Sequence, residues 1–320
     1  VRGAAGRMYA RAKWRGWVLK LSPDGEQVTP FACGFRSPDG IGFDAQGRLL
    51  VTDNQGDWLG TSKVHHVREG GFYGHVASLI WREGFVRNPL KMPVAELDAL
   101  RTPAAAWLPQ GELASSPTQP IAVPEGVFGA FAGQTLLGEM NQKTLVRFLQ
   151  DPVGDVSQGA AIPFLQTQVL GAGNHRMAFT ADGSLWIGKT HLSWAGAEGL
   201  VRVRLRAKPE QLFAVDQVRV TPRGFTLRFT QPVDAQSLKG LAVRAHGYKY
   251  FKTYGSPKVD DRDVSVASAN LDDAGTTLTV QLGELREGNV YTFSLAGVAS
   301  RTAKPLLGDK VYYTLQKKRQ

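Results

Sequence analysis

The 320-residue sequence holds one cysteine, Cys33. A lone thiol excludes an internal disulfide and a cysteine-based zinc site. It leaves the compartment open, because many exported bacterial proteins also lack disulfides. Long apolar runs are missing too. Gly, Pro or charge interrupts each one, so no stretch reaches the roughly 20 apolar residues of a membrane-spanning helix. Helical periodicity is scarce, and its best stretch is Pro93 to Leu100, with proline near the start of a short helix. There is no G-x-S-x-G elbow, no P-loop, no G-x-G-x-x-G opening a helix and no H-E-x-x-H, so hydrolase triads, nucleotide binding and zinc proteolysis have no motif behind them.

The formal charge is +10, from 38 Lys and Arg against 28 Asp and Glu. It is thinly spread. Residues 1–207 carry +4 and residues 208–320 carry +6, half of that in the tail Lys317, Lys318, Arg319. No basic cluster interleaved with aromatics is present, which argues against a nucleic-acid partner. A solvated surface and a frayed basic tail over 317–320 are expected. The chain opens without the n-region and h-region of a signal peptide, and Trp17 to Leu21 already reads as a strand. A pattern under way so early predicts further sequence upstream.

What is present is a succession of short alternating runs between Gly, Pro, Asn and Asp clusters, an all-β signature. Gly42–Thr52 resembles Ala178–Gly188: strand, tight Asp/Gln-Gly turn, strand. Phe131–Gly138 is a weaker third copy. The turn glycines fall at 47, 133 and 183, compatible with propeller blades of roughly 40–50 residues. Lys63–Val67, Thr144–Leu149 and Leu200–Leu205 follow as further strands. The predicted architecture is a β-propeller over 1–207, part of a larger, six-bladed propeller. From Val215 the alternation becomes cleaner, through Val218–Val220, Phe225–Phe229, Thr277–Val280, Val290–Leu295 and Val311–Leu315. This predicts a separate immunoglobulin-like sandwich over 210–316. Its aromatic stretch Tyr248–Pro257 either packs onto the propeller or forms a sugar-stacking patch.

The densest polar constellation is Thr52–Trp58, flanked by Gly34–Gly40, Lys63–His66 and Glu69–His75. Propeller loops leaving inner strands converge on a central channel. There Arg36 could pair with a carboxylate. Asp53, Asn54, Gln55 and Asp57, with the carbonyl of Gly56, offer hard oxygen donors suited to Ca²⁺; the competing reading is that Asp53 and Asn54 satisfy turn backbone. His65 and His66 point to opposite faces of a strand and make no metal pair. Arg176 is a second channel candidate, with Glu112 and Glu139 weaker.

Gly34–Phe43, Asp53–Asp57 and Glu69–His75 resemble the glucose/sorbosone dehydrogenase group, soluble quinoproteins with a six-bladed propeller. The resemblance is closer to large secreted, propeller-containing proteins of the membrane-bound-dehydrogenase group of planctomycete-like bacteria, some of which carry a c-type haem domain; Thr253–Pro257 also resembles that group. The resemblance implies a sugar or glycan substrate, the cofactors pyrroloquinoline quinone (PQQ) and Ca²⁺, a cytochrome or haem domain as electron acceptor, and a secreted or periplasmic location. Arg36 then matches the quinone-holding arginine, and Gln55 and Gly56 the Gln-Gly that contacts quinone and calcium. Lys143 falls where a quinone-binding lysine is expected, and His175-Arg176 where the last blade carries paired arginines. Ser37 stands where the group has Asn, and Asp57 where it has Pro. The catalytic histidine implied by the resemblance lies upstream of Val1. The alternatives are a non-catalytic glycan- or protein-binding module, and a Ca²⁺-dependent lactonase carried by Asp53, Asn54, Glu112 and Glu139.

Overall fold

A computed structural model describes residues 12–193, 195–206, 208 and 211–320. The expected start at Val1 and the junction residues Ala207, Pro209 and Glu210 lie outside them. The chain is nearly all β. A hairpin of β1 (Trp17–Leu21) and β2 (Val28–Cys33) precedes three antiparallel meanders. The first has the order β3 (Pro38–Phe43), β4 (Leu49–Asp53), β5 (Ser62–His66), β6 (Ala106–Leu108). Between β5 and β6 sits the expected short helix, α1 (Val94–Leu100), with Pro93 immediately before it. The second is β7 (Pro117–Ala122), β8 (Thr135–Glu139), β9 (Leu145–Gln150), β10 (Gly159–Phe164). In the third, β11 (Asn174–Phe179) and β12 (Leu185–Lys189) are followed by a small inserted hairpin, β13 (His191–Leu192) and β14 (Ala195–Gly196). β15 (Leu200–Val203) then returns to pair with β12.

The turns explain two of the repeat copies. Asp44 accepts from the backbone N–H of Gln46 and Arg48, both at 2.9 Å, and Asp182 accepts from Ser184 N at 3.1 Å. These short carboxylates close the hairpins β3–β4 and β11–β12. The third copy differs. Phe131 lies in a 3₁₀ turn, Gly129–Phe131, and β8 pairs with β7 from further upstream.

The first strands of the meanders lie side by side, as the inner strands of adjacent blades do. A side chain at Gly40 on β3 would put its Cβ 2.2 Å from the Thr118 carbonyl oxygen on β7. Only a residue without a Cβ permits that approach.

Downstream, β16 (Val215–Thr221) and β17 (Gly224–Phe229) belong to one sheet, and β18 (Ala242–Tyr248) and β19 (Lys258–Asp263) to another. β20 (Val266–Leu271) and β21 (Thr277–Leu282) complete the first, in the order β16-β17-β21-β20. β22 (Asn289–Ser294) and β23 (Lys310–Leu315) complete the second. Phe225 of the first sheet stacks edge-on against Phe293 and Tyr313 of the second, centroids 5.2 and 4.8 Å apart, and lies 5.3 Å from Tyr291. The two sheets therefore share one aromatic core.

This sandwich is not insulated from the blades. β23 pairs with β10, so β19-β18-β22-β23-β10-β9-β8-β7 form one eight-stranded sheet. Buried Asp151, after β9, accepts from Tyr313 Oη at 2.7 Å, Val220 N at 2.7 Å and Arg319 Nη2 at 2.6 Å. Gln158 accepts from Gln316 N and Lys317 N, both at 2.8 Å. The basic tail is consequently docked rather than frayed: its backbone caps the joined sheet, and its last arginine neutralises a buried carboxylate.

Candidate functional site

In each meander the second strand ends on a charged residue that clamps the loop leading into the first. Asp53 ends β4, and its carboxylate accepts from Arg36 N at 2.9 Å and Ser37 N at 2.8 Å. Glu139 ends β8 and accepts from Ser115 N at 2.9 Å, Ser116 N at 2.6 Å and Gln142 N. Lys189 ends β12 and donates to the carbonyls of Leu170 at 2.5 Å and Ala172 at 2.6 Å, and to Asn174 Oδ1 at 3.1 Å. Asp53 and Glu139 are fully buried. Burial raises both carboxyls, Glu139 to about 7, with the backbone donors opposing the rise. Lys63, opposite Asp53 across β4–β5, is buried as well, which depresses its amine.

The Asp53 clamp fixes Arg36 at the mouth of the first meander. Arg36 Nη1 donates to Gln55 O at 3.4 Å, and the guanidinium lies 4.9 Å from the centroid of the Tyr254 ring. Its stem runs along Gly56: a Cβ there would meet Arg36 Nε at 2.3 Å. Gln55 Nε2 donates to Gly60 O at 3.2 Å. Asp57 is buried and pairs across a single antiparallel bridge with Tyr254. His75 is buried nearby. Burial pushes it down to about 4, with the charge of Asp57 opposing, and its Nε2 has no hydrogen-bond partner. From the third meander, His175 Nε2 meets Asp39 Oδ1 at 3.0 Å and Arg176 Nη1 donates to Asp39 O at 3.0 Å. Within residues 36–39, Arg36 thus lies on Gln55 and Gly56, and Asp39 meets His175 and Arg176.

The other expected residues lie elsewhere. Lys143 is exposed and bonded to Gln168. Glu112 pairs with Lys258 of the sandwich. Asn54 Nδ2 donates to Ser116 Oγ at 3.0 Å, tying the first meander to the second. His65 and His66 do face opposite ways: His65 is buried between Phe35 and Tyr73, while His66 Nδ1 reaches Ser157 Oγ at 2.6 Å. Asp39 and His75 lie in the segments flanking the polar constellation but had no individual role there. Tyr254 was marked by the aromatic density of Tyr248–Pro257 and by the resemblance of Thr253–Pro257.

Two of the expected calcium donors are committed to protein partners, while Asn54 Oδ1 is buried without one. Asp53 is spent on two backbone N–H groups, and the Gly56 carbonyl accepts from Leu59 N and Gly255 N, both at 3.0 Å. Among the described residues no group of three or more His, Cys, Asp or Glu is placed to hold a metal ion. Arg36 uses one N–H in a long hydrogen bond and keeps the rest of its edge, and Arg176 is exposed at the same strand end. A separate cavity of about 680 Å³, walled by Phe128, Phe131, Phe164, Leu212 and Leu306, shares no residue with this group.

No family model matches the chain, and no curated protein matches it. Among solved structures it is similar to the PQQ-bound form of an aldose sugar dehydrogenase from Streptomyces coelicolor, at 16% identity and a TM-score of 0.35 over 59% of this chain and 52% of that one. It is also similar to an oxidoreductase described as a glucose dehydrogenase from Thermus thermophilus, at 18% identity and a TM-score of 0.35 over 54% and 48%. A fungal alcohol oxidase of the AA5 family in complex with copper matches at 8% identity and a TM-score of 0.20 over 92% and 79%. The chain spans about half the length of the first two. No helix among the described residues is long and apolar enough to cross a membrane.

Proposed function

We propose that this chain is part of a sugar-dehydrogenase-like quinoprotein, in which the meanders over 1–207 are propeller blades and 210–316 is an immunoglobulin-like sandwich fused to them. The observation that supports it is the convergence at residues 36–39: Arg36 on Gln55 and Gly56, and His175 and Arg176 on Asp39. The ligand is a planar anionic quinone of the PQQ kind. When bound, it would supply the hydride acceptor for oxidation of a sugar hydroxyl or hemiacetal.

The chain's own residues do the binding. Arg36 pairs its open edge with a carboxylate, and the Asp53 clamp keeps its backbone in place. Arg176 brings a second cation to the same strand end. His75 stays neutral near pH 7, so it adds no charge beside Arg36. The sugar, a cytochrome or haem partner, and a secreted or periplasmic setting belong to the same proposal. No step is routed through calcium.

A non-catalytic binding module is the second reading. It draws on the commitment of Asp53 and the Gly56 carbonyl to protein partners. Equilibrium dialysis of the chain against PQQ separates the two. The quinoprotein reading expects saturable retention, weakened about tenfold or more in Arg36→Met, the scale of a lost charge-assisted hydrogen bond. Absence of retention, with retention of an oligosaccharide instead, favours the binding module.

A further inference from the structure

At the end of β10 the blades and the sandwich together wall the cavity of about 680 Å³. Phe128, Phe131 and Phe164 stand on the blade side, Leu212 and Leu306 on the sandwich side. Its walls are held in place. Phe131 meets Phe164 edge-on, centroids 5.3 Å apart, and Leu307 N donates to Phe213 O at 2.9 Å. Gly308 lies against β10, where a Cβ would come within 2.6 Å of the Pro163 carbonyl oxygen. Protein interiors leave few voids larger than a water molecule. A cavity of this size falls instead in the range of small-molecule sites, roughly 300–1,000 Å³, which favour the junctions between structural units.

The backbone around it is strained. Among the described residues six that are not glycine have positive φ, and three of them line this cavity: Phe128 at 54°, Leu165 at 53° and Ala303 at 59°. Left-handed backbone crowds the Cβ of an L-residue, and strain of this kind collects at ligand sites.

Two cations bear on the apolar walls. Arg204 lies exposed at the rim and makes no hydrogen bond or ion pair with another described residue. Arg147 lies behind the wall, fully buried, its guanidinium 4.6 Å from the Phe131 ring centroid and 5.8 Å from that of Phe164. Its Nη1 donates to Gln134 Oε1 at 3.1 Å and Val215 O at 2.9 Å, while Nε and Nη2 have no partner. The carboxylate that acts on it, Asp216, is already paired with Arg228 at 3.0 Å. A buried cation without a bonded counter-ion leaves a positive potential in the low-dielectric space beside it. One carboxylate, Asp309, lines the cavity against these two cations.

We propose that this cavity binds an apolar monocarboxylate of the fatty-acid class, its chain between the phenylalanine and leucine walls and its head at Arg204. The site shares no residue with the Arg36 group, so it stands or falls apart from the quinoprotein reading. The test is calorimetric titration of the intact chain with octanoate and with octan-1-ol, on wild type, Arg204→Gln and Leu306→Trp, with urea unfolding of each. The expected result is one saturable octanoate site per chain, with octanol about tenfold weaker. Arg204→Gln should weaken octanoate about tenfold, the scale of a lost charge-assisted hydrogen bond, and leave octanol unchanged. Leu306→Trp, which fills the cavity, should weaken both. Wild type that shows no saturable octanoate binding overturns the proposal. Equal affinity for octanol and octanoate, or octanoate binding unchanged in Arg204→Gln, overturns the charged head at Arg204. Undiminished binding in a folded Leu306→Trp puts the site elsewhere. If Leu306→Trp does not fold, the octanol comparison and Arg204→Gln decide the matter.

Discussion

The first two meanders and the third solve one problem with opposite charges. Each must hold the loop that enters its inner strand. In the first two, that loop presents backbone N–H groups, and a buried carboxylate, Asp53 or Glu139, accepts from them. In the third, the loop presents carbonyls, and Lys189 donates to them. The position at the end of the second strand is thus kept in place while its chemistry follows the polarity of the loop it faces. The comparison also separates costs. Asp53 and Glu139 are fully buried, whereas Lys189 is only partly so. A buried group left without its partner costs more than one that water can reach.

The largest effect is expected at Asp53. Asp53→Leu strands two backbone donors and leaves buried Lys63 without the carboxylate opposite it. Urea unfolding should show a loss of about 3–5 kcal/mol, from two buried donors left unpaired and the loss of the charge opposite Lys63. A loss no larger than that of an exposed salt bridge would dissolve the distinction between buried and solvated clamps.

Next comes Glu139, which adds a pH signature. Its carboxyl is raised to about 7 in the fold, above the ordinary glutamate value near 4.3. The sign follows from linkage: the stabilisation is fully present below the unfolded value and is lost as pH rises through about 7. Wild type should therefore lose stability between roughly pH 4 and 7, and Glu139→Gln should flatten that slope. His75 has the opposite sign. Its pKa is lowered to about 4 from the ordinary histidine value near 6.5, so its contribution is present above that value and lost as pH falls through about 4. His75→Gln should flatten the acid limb, and an unchanged acid limb would show that His75 is not buried as described.

The smallest effect belongs to Lys189. Lys189→Met releases carbonyls that water can partly reach, so a loss of about 1 kcal/mol is expected, near the net worth of one hydrogen bond. A cost matching that of Asp53→Leu would mean that the third clamp is as deeply committed as the first.

Much of the fold was legible in the sequence because local chemistry dictated it. Alternation marked the strands, Asp44 and Asp182 marked the hairpins, and Pro93 marked the start of α1. The joining of blade and sandwich was not legible. The pairing of β10 with β23 is made by backbone groups, which leave no side-chain pattern, and its side-chain locks, Asp151 and Gln158, look like ordinary turn residues. Of the clamps, Asp53 was open to a reading as a residue that satisfies loop backbone, whereas Glu139 and Lys189 escaped. Asp53, Glu139 and Lys189 share a structural position but not a charge, so comparing the repeat copies did not align them. The motif singled out Arg36, Gln55 and Gly56 as candidates, and the structure places them in contact. For Asp53 the structure selects the backbone-satisfying alternative, and Lys143 contacts Gln168.

The most direct test of the central claim is the unfolding midpoint of the intact chain titrated with PQQ, because a ligand that binds only the folded state raises it in proportion to the logarithm of concentration. The account predicts a concentration-dependent rise in wild type that is lost in Arg36→Met. A midpoint that does not move at any PQQ concentration would contradict it.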